Sequence, residues 1–342
     1  MIIFPRHINL KYIDGSWCSR CMIYCCAMML INQTSFGQMT AGITNIRDSS
    51  FSNYSAFQKS KKTNPETTIV PLQKFPDISE NYDVVYCRQG KRALSTDIFQ
   101  PKKKQAGRTA IIIIHGGGWR SGNRTQHHAL AQKLASLGYV CFTPEYRLST
   151  EALFPAAVYD LKAMIRYVRS ESKRYGIDTS KLVTLGFSAG GQLAALLGTT
   201  GNMPLFEGQH CSENRSSAVN AIVDIDGTLS FVHPESGEGD DSKKPSAATL
   251  WFGYSKKENF SLWEQASPLT HVNGGTPPVL FINSSVDRMH AGRDQFIDTL
   301  NAHHIYSEVH RFENSPHSFC LFNPWFEPTV NFIDAFLKKI FP

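Results

Sequence analysis

Several features are scarce or missing in this 342-residue chain, and each absence removes a class of protein. The apolar run Cys21 to Ile31 is about 11 residues, too short to cross a bilayer, so no membrane-spanning helix is expected. No Walker-type loop or dinucleotide-binding fingerprint occurs, so no cofactor is implied. Histidines cluster only as the adjacent pairs His127-His128 and His303-His304, which face apart on a helix and do not chelate together, so no metal site is expected. Charged residues make up 19% and form no dense basic stripe, which argues against a nucleic-acid partner. Cysteine is sparse beyond the first residues: Cys18, Cys21, Cys25 and Cys26 lie in the N-terminal segment, leaving Cys87, Cys141, Cys211 and Cys320. Cys141 sits in an apolar run and reads as a small buried hydrophobe, while pairing among the others stays open.

What is present begins with a processed-looking N-terminus. Lys11 and Arg20 precede the apolar run, and Ser35-Phe36-Gly37 follows it as a small-residue site, so residues 1–37 read as a secretory signal and the mature chain as secreted or periplasmic. Loss of Arg6, Lys11, Arg20 and Asp14 with that segment takes the formal charge from +6 to +4. Residues 38–78 are polar, with Lys59-Ser60-Lys61-Lys62 and no sustained periodicity, and read as an arm or linker. Residues 79–342 are long enough for one large domain with a single core.

Within that domain strand-like and helix-like segments alternate. Tyr82 to Tyr86 and Ala93 to Phe99 read as an antiparallel entry. Then come strand Thr109 to Ile114, helix Gln126 to Leu137, strand Val140 to Thr143, helix Ala156 to Arg169 and strand Leu182 to Leu185. Ala157, Leu161, Met164, Ile165 and Val168 form the 3.6-residue stripe of a helix packed on a sheet, and Ile333, Phe336, Leu337 and Ile340 repeat it in a last helix, Val330 to Ile340. Such alternation predicts an α/β fold, a mostly parallel sheet with helices on both faces. Two stretches, residues 201–217 and 230–267, interrupt it and are expected as loops over the catalytic mouth.

Two glycine motifs carry the chemistry. Gly186-Phe187-Ser188-Ala189-Gly190-Gly191 follows the strand run Leu182 to Leu185, the signature of a nucleophile elbow in which glycines two before and two after the serine remove clashing Cβ atoms. His115-Gly116-Gly117-Gly118-Trp119 follows Ile111 to Ile114 and reads as an oxyanion loop, with Gly117 and Gly118 N–H groups joining that of Ala189 as donors. His115 is read as holding the shape of that loop. The base is expected as His317, in the loop after the strand-like Tyr306 to Phe312. For the acid, chain order favours Asp287, after Val279 to Ile282. Asp226, ending the preceding strand, is the alternate, and Asp294 and Glu313 are weaker candidates.

Together with Glu145-Tyr146-Arg147-Leu148, Phe154-Pro155-Ala156-Ala157 and Pro316-His317-Ser318-Phe319, these motifs resemble the α/β-hydrolase fold, and within it the secreted bacterial carbohydrate esterases, from about Tyr82 to the C-terminus. The stretch Ala266 to Val272 and then Pro277 to Asp294 is most similar to pectin-acting esterases. The resemblance implies an eight-stranded sheet and removal of methyl or acetyl esters from plant polysaccharides or oligosaccharides, most simply pectin. Acetyl xylan or feruloyl esters are the alternatives, and a non-catalytic carbohydrate-binding relative is the reading from another class. Arg288, His290 and Arg293, with Arg120, Arg124 and Arg147, are expected at the strand C-terminal edge, where cations would meet galacturonate carboxylates. Trp119 is a candidate for stacking on sugar rings, as is Trp325, although core packing is the commoner use of both.

Overall fold

The computed structural model describes residues 37–46, 48–208, 211 and 214–342; the expected secretory signal lies outside the described residues apart from Gly37. Eight strands form the central sheet: β1 (Ile78–Gln89), β2 (Arg92–Pro101), β3 (Arg108–Ile114), β4 (Val140–Pro144), β5 (Ile177–Phe187), β6 (Ala221–Ile225), β7 (Val279–Asn283) and β8 (Ser307–Arg311). Their spatial order is β1-β2-β4-β3-β5-β6-β7-β8. β1 with β2 and β2 with β4 pair antiparallel, and every later pairing is parallel. This is the α/β-hydrolase arrangement.

The run of four isoleucines in β3 shows why the sheet is covered on both sides. Period-2 alternation sends Ile111 and Ile113 to one face, against Leu130, Ala131 and Leu134 of α2 (His128–Ser136) and against Ile333, Phe336 and Leu337 of the last long helix, Phe326–Ile340. Ile112 and Ile114 face the other way, against Leu161, Met164 and Ile165 of α3 (Ala156–Ser170) and Leu193 and Leu197 of α4 (Ala189–Thr199). All four are at most 1% exposed, so each contributes about 1.5–3 kcal/mol over an exposed position. A further helix, α5 (Arg293–Ala302), packs Phe296 and Leu300 on Val279 and Phe281 of β7. The final helix is α6, and it starts four residues earlier than its stripe suggests. Pro328 is accommodated because the first-turn N–H groups have no intrahelical acceptor.

The arm is more structured than its composition implies. Helix α1 (Asn53–Thr63) opens with a reciprocal cap between Ser52 and Ser55, and Thr68–Ile69 pairs antiparallel with Phe322–Asn323. Only Ala56 and Ser60 of α1 are buried, so it leaves no apolar stripe to read. Ser60 Oγ lies 2.8 Å from Ser318 Oγ, and Asn64 Nδ2 donates to the Asn314 carbonyl at 2.7 Å, tying α1 to the loop after β8.

Cys87 of β1 and Cys211 of the first interruption form a disulfide across 124 residues, while Cys141 and Cys320 are buried free thiols. That first interruption connects the end of α4 to the start of β6, at the edge of the sheet opposite the strand C-terminal ends, so the expectation that residues 201–217 cover the catalytic mouth is corrected. The second interruption carries short helices Ala247–Phe252 and Phe260–Gln265, whose Trp251, Phe252 and Trp263 are fully buried.

Candidate active site

Ser188 sits between the end of β5 and the first residue of α4 with φ 57° and ψ −122°, in the left-handed region a β-carbon resists. Its N–H donates to the Ile225 carbonyl at 2.8 Å. The turn is crowded enough to dictate its glycines: a Cβ at Gly186 would lie 1.9 Å from the Gly190 carbonyl oxygen, and one at Gly190 would lie 2.1 Å from that of Ile114. The side chain is partly exposed at the C-terminal edge of the sheet, and the 11-residue α4 directs its N-terminal dipole at it.

The loop after β8 brings His317 to this hydroxyl, with Nε2 2.9 Å from Ser188 Oγ. Its Nδ1 stands 2.9 Å from Oδ2 of Asp226, at the end of β6. The acid partner is therefore Asp226, and the expectation of Asp287 is corrected. The Asp287 side chain is 83% exposed and pairs with Arg311 at 3.1 Å. Of the weaker candidates, Asp294 pairs with Arg293 and Glu313 lies 3.8 Å from Arg311. The loops after β6 and β7 emerge side by side from neighbouring parallel strands, so chain order alone does not distinguish them.

Asp226 is fully buried, and its other oxygen accepts the Ser284 N–H at 2.7 Å. Burial alone would raise its pKa, but the imidazoles of His290 and His317 and the Ser284 donor bring it down to about 2, so the carboxylate is ionised at neutral pH. Two residues earlier, Asp224 behaves oppositely: burial, then the charge of Asp226, push its carboxyl well above the usual range. Asp224 Oδ1 accepts the Gly227 N–H at 2.9 Å, and a Cβ at Gly191 or Gly227 would fall within 2.3 Å of that oxygen. Asp224 is not among the candidates the sequence singles out; an acidic residue inside an otherwise apolar strand is the signal that could have found it.

The loop after β3 folds back over the serine. Gly117, Gly118 and Trp119 all have positive φ, and a Cβ at Gly117 would come within 2.2 Å of the Ser121 carbonyl oxygen. The Gln126 side chain accepts the Gly116 N–H at 2.7 Å, and the Tyr146 hydroxyl donates to the His115 carbonyl at 2.9 Å with its ring stacked on the imidazole. Among the described residues, the N–H groups of Gly117, Gly118 and Ala189 enter no hydrogen bond within the chain, which leaves them available to an oxyanion.

Several expected substrate contacts are engaged elsewhere. Trp119 is 4% exposed, donates from Nε1 to Gln192 Oε1 at 2.9 Å and stacks on Trp251 at 4.9 Å, so it is a core residue and not a sugar platform. Trp325 is buried too. His290 is buried with Nε2 3.6 Å from Asp226 Oδ1, behind the site rather than in its mouth. Arg293 donates to Asn283 and pairs with Asp294. Arg120 pairs with Asp48, Arg124 with Asp97, and Arg147 with the buried Asp160. Arg288 stays about half exposed, 3.8 Å from Glu238 of the second interruption. Burial raises the pKa of Glu238, opposed by the charges of Arg288, Lys256 and His317. The adjacent histidines separate as expected: His128 meets Asp97 at 2.9 Å, while His127 packs on Phe187 and burial, then the neighbouring His115 and His128, lower its pKa to about 3. No group of side chains suited to hold a metal occurs among the described residues, and no helix of the described residues is long and apolar enough to cross a membrane.

Several known proteins are similar to this chain. The profile of the BD-FAE family matches residues 96–293, which include Ser188 and Asp226 but not His317. A probable carboxylic ester hydrolase of Mycobacterium tuberculosis, LipM, is 30% identical over 225 residues, 64% of this chain and 50% of its own. The esterase LipC of the same organism is 29% identical over 185 residues, 52% of this chain and 44% of its own. The chain thus spans about half the length of the curated relatives it matches. Among solved structures, butyrate-bound esterase 2 of Thermogutta terrifontis superposes with a TM-score of 0.63 at 26% identity, covering 78% of this chain and 95% of that one. A truncated carbohydrate esterase from gut microbiota gives 0.61 at 24% identity, covering 76% and 96%. The sheet order, the elbow and the matched profile together establish that this α/β-hydrolase chain belongs to the BD-FAE family.

Proposed function

We propose that the protein is a secreted serine carboxylic-ester hydrolase that removes methyl or acetyl esters from plant cell-wall polysaccharide, pectin first among them. The observation that carries the catalytic part is the relay Ser188 Oγ to His317 Nε2 and His317 Nδ1 to Asp226 Oδ2, each 2.9 Å, beneath uncommitted main-chain donors. The names of relatives, esterases and a carbohydrate esterase, support the ester and the carbohydrate class. A disulfide suits an oxidising compartment and supports export.

The mechanism follows from the geometry. Ser188 Oγ bonds to the ester carbonyl carbon as its proton passes to His317 Nε2. Asp226, ionised and buried, fixes the Nδ1–H tautomer and stabilises the imidazolium. The carbonyl oxygen becomes an oxyanion facing the Gly117, Gly118 and Ala189 N–H groups. As the tetrahedral species collapses, the C–O bond to the alcohol breaks and the imidazolium returns its proton to that oxygen. Water repeats the sequence on the acyl-enzyme, releasing the acid and restoring Ser188.

Incubation with methylated pectin, acetylated pectin, acetylated xylan and feruloylated arabinoxylan, with methanol, acetate and ferulate measured, tests the substrate. Release from pectin by the wild type and none by Ser188→Ala is expected. Release confined to xylan or to ferulate assigns the alternative esters. A fluorophosphonate that leaves Ser188 unlabelled identifies a non-catalytic carbohydrate-binding relative and overturns the reading.

A further inference from the structure

The positive charge of the chain is gathered far from the catalytic serine. A cleft of about 610 Å³ at the start of β3 and β5 is lined by Lys102, Lys103, Lys104, Arg108, Lys173 and Arg174. A second, of about 590 Å³, shares Lys173 and adds Arg169 and Arg215. Among the described residues, no aspartate or glutamate lines either one. These eight cations exceed the formal excess of +6 of the entire chain, so the remainder is net negative.

The arrangement fixes several of these charges without neutralising them. Arg108 donates to the carbonyls of Gly138 and Lys103, and Arg169 to those of Thr179 and Ala218. Lys102 donates to the Pro76 carbonyl. Only Arg174 of the eight has a carboxylate partner among the described residues, Glu171 at 3.4 Å. The nearby Asp178 accepts from Ser180 instead. Dipolar carbonyls hold a guanidinium in place but leave its net charge to act on an incoming anion.

We infer that these joined clefts are a secondary binding site for a carboxylated polysaccharide. Between the cations lie amides and hydroxyls, Gln100, Gln105, Ser172 and Asn214, suited to the hydroxyls of a sugar chain. Among the described residues the single aromatic side chain, Tyr175, is buried beneath Arg174, so they offer no stacking platform for the bases of a single-stranded nucleic acid. Among the described residues no large aliphatic side chain lines the clefts, as insertion into a lipid surface would need. The seven residues of β3 separate the clefts from the oxyanion loop by about 20 Å, so a polymer of several sugars is held at one edge of the sheet while another stretch of it, or a neighbouring chain, meets Ser188. That the retained polymer is also the one de-esterified rests on the proposed function; the binding itself does not.

The test is affinity electrophoresis of the full chain through gels containing polygalacturonate or neutral unsubstituted xylan. Wild type and Ser188→Ala are expected to be retarded by polygalacturonate alone, in a salt-sensitive manner. The triple variant Lys103→Gln, Lys104→Gln, Lys173→Gln is expected to bind at least tenfold more weakly while hydrolysing p-nitrophenyl acetate within twofold of wild type. Unchanged retardation of the triple variant, equal retardation by neutral xylan, or displacement of polygalacturonate by duplex DNA at matched charge concentration each overturns the inference. Failure of the ester-release assays with retardation intact strikes only the proposed function.

Discussion

Replacing Asp226 by asparagine should cost on the order of 10³–10⁴ in kcat, whereas the same change at Asp287 should cost less than about twofold. The difference follows from what each side chain faces. Asp226 is fully buried between the Ser284 N–H on Oδ1 and His317 Nδ1 on Oδ2. An asparagine there must offer its carbonyl to the Ser284 N–H, because the amide NH2 in that place would leave two donors opposed. The NH2 then faces His317, which accepts it at Nδ1 and carries its own proton on Nε2. An imidazole with Nε2–H pointing at Ser188 cannot take the serine proton. At Asp287 the side chain is 83% exposed, and its pair with Arg311 is a surface contact worth at most about 1 kcal/mol. The assay is steady-state hydrolysis of p-nitrophenyl acetate by both variants, with circular dichroism to show that each is folded. A folded Asp226→Asn enzyme retaining more than a tenth of wild-type kcat, or an Asp287→Asn enzyme equally impaired, would refute the assignment of the acid.

Other expectations follow from packing, covalent linkage and charge. Gly190→Ala should destabilise the fold by about 2–3 kcal/mol and lose ester turnover, because the new Cβ would lie 2.1 Å from the Ile114 carbonyl oxygen and only a shift of main chain relieves it; a thermal midpoint equal to wild type would contradict this. Replacing Cys87 and Cys211 together by serine should remove about 4–5 kcal/mol of stability in urea titration, since the bond closes a loop across 124 residues. Asp226 also shapes the acid limb. Its folded-state carboxyl lies at about 2 against an ordinary 3.8, so its contribution, on the order of 2 kcal/mol, is complete above about pH 4 and is lost as pH falls towards 2. Stability measured across that range should fall more steeply in wild type than in Asp226→Asn.

Much of the fold was legible because one strand's chemistry repeats through the chain. Short runs of β-branched residues bounded by glycine or proline mark β3 to β7, and the stripes of α3 and α6 mark the covering helices. Ser188 and His317 were legible because each lies in a local motif whose geometry the neighbouring glycines, or a strand end, dictate. Asp226 was named only as the alternate, since the choice between adjacent strand ends is made by a left-handed turn at Asp226 and a donor 58 residues away, Ser284. Trp119 and His290 stand among the candidate substrate contacts, Trp119 with core packing as its commoner use, because their partners, Trp251 and the inner oxygen of Asp226, become neighbours only after folding. The helix in the arm was missed for a third reason: it is held by capping and a few polar contacts, and leaves almost no apolar pattern.

That arm has a practical bearing on how the protein is cut and expressed. Starting a clone at the first sheet strand, where composition turns from polar to apolar, would delete the hydroxyl at Ser60 and the amide at Asn64, which grip Ser318 and the carbonyl of Asn314 on either side of His317. His317 would then hang from a loop fastened at fewer points. A shortened version with the sheet intact but turnover reduced would report on this tether, and not on the worth of the residues that touch the ester.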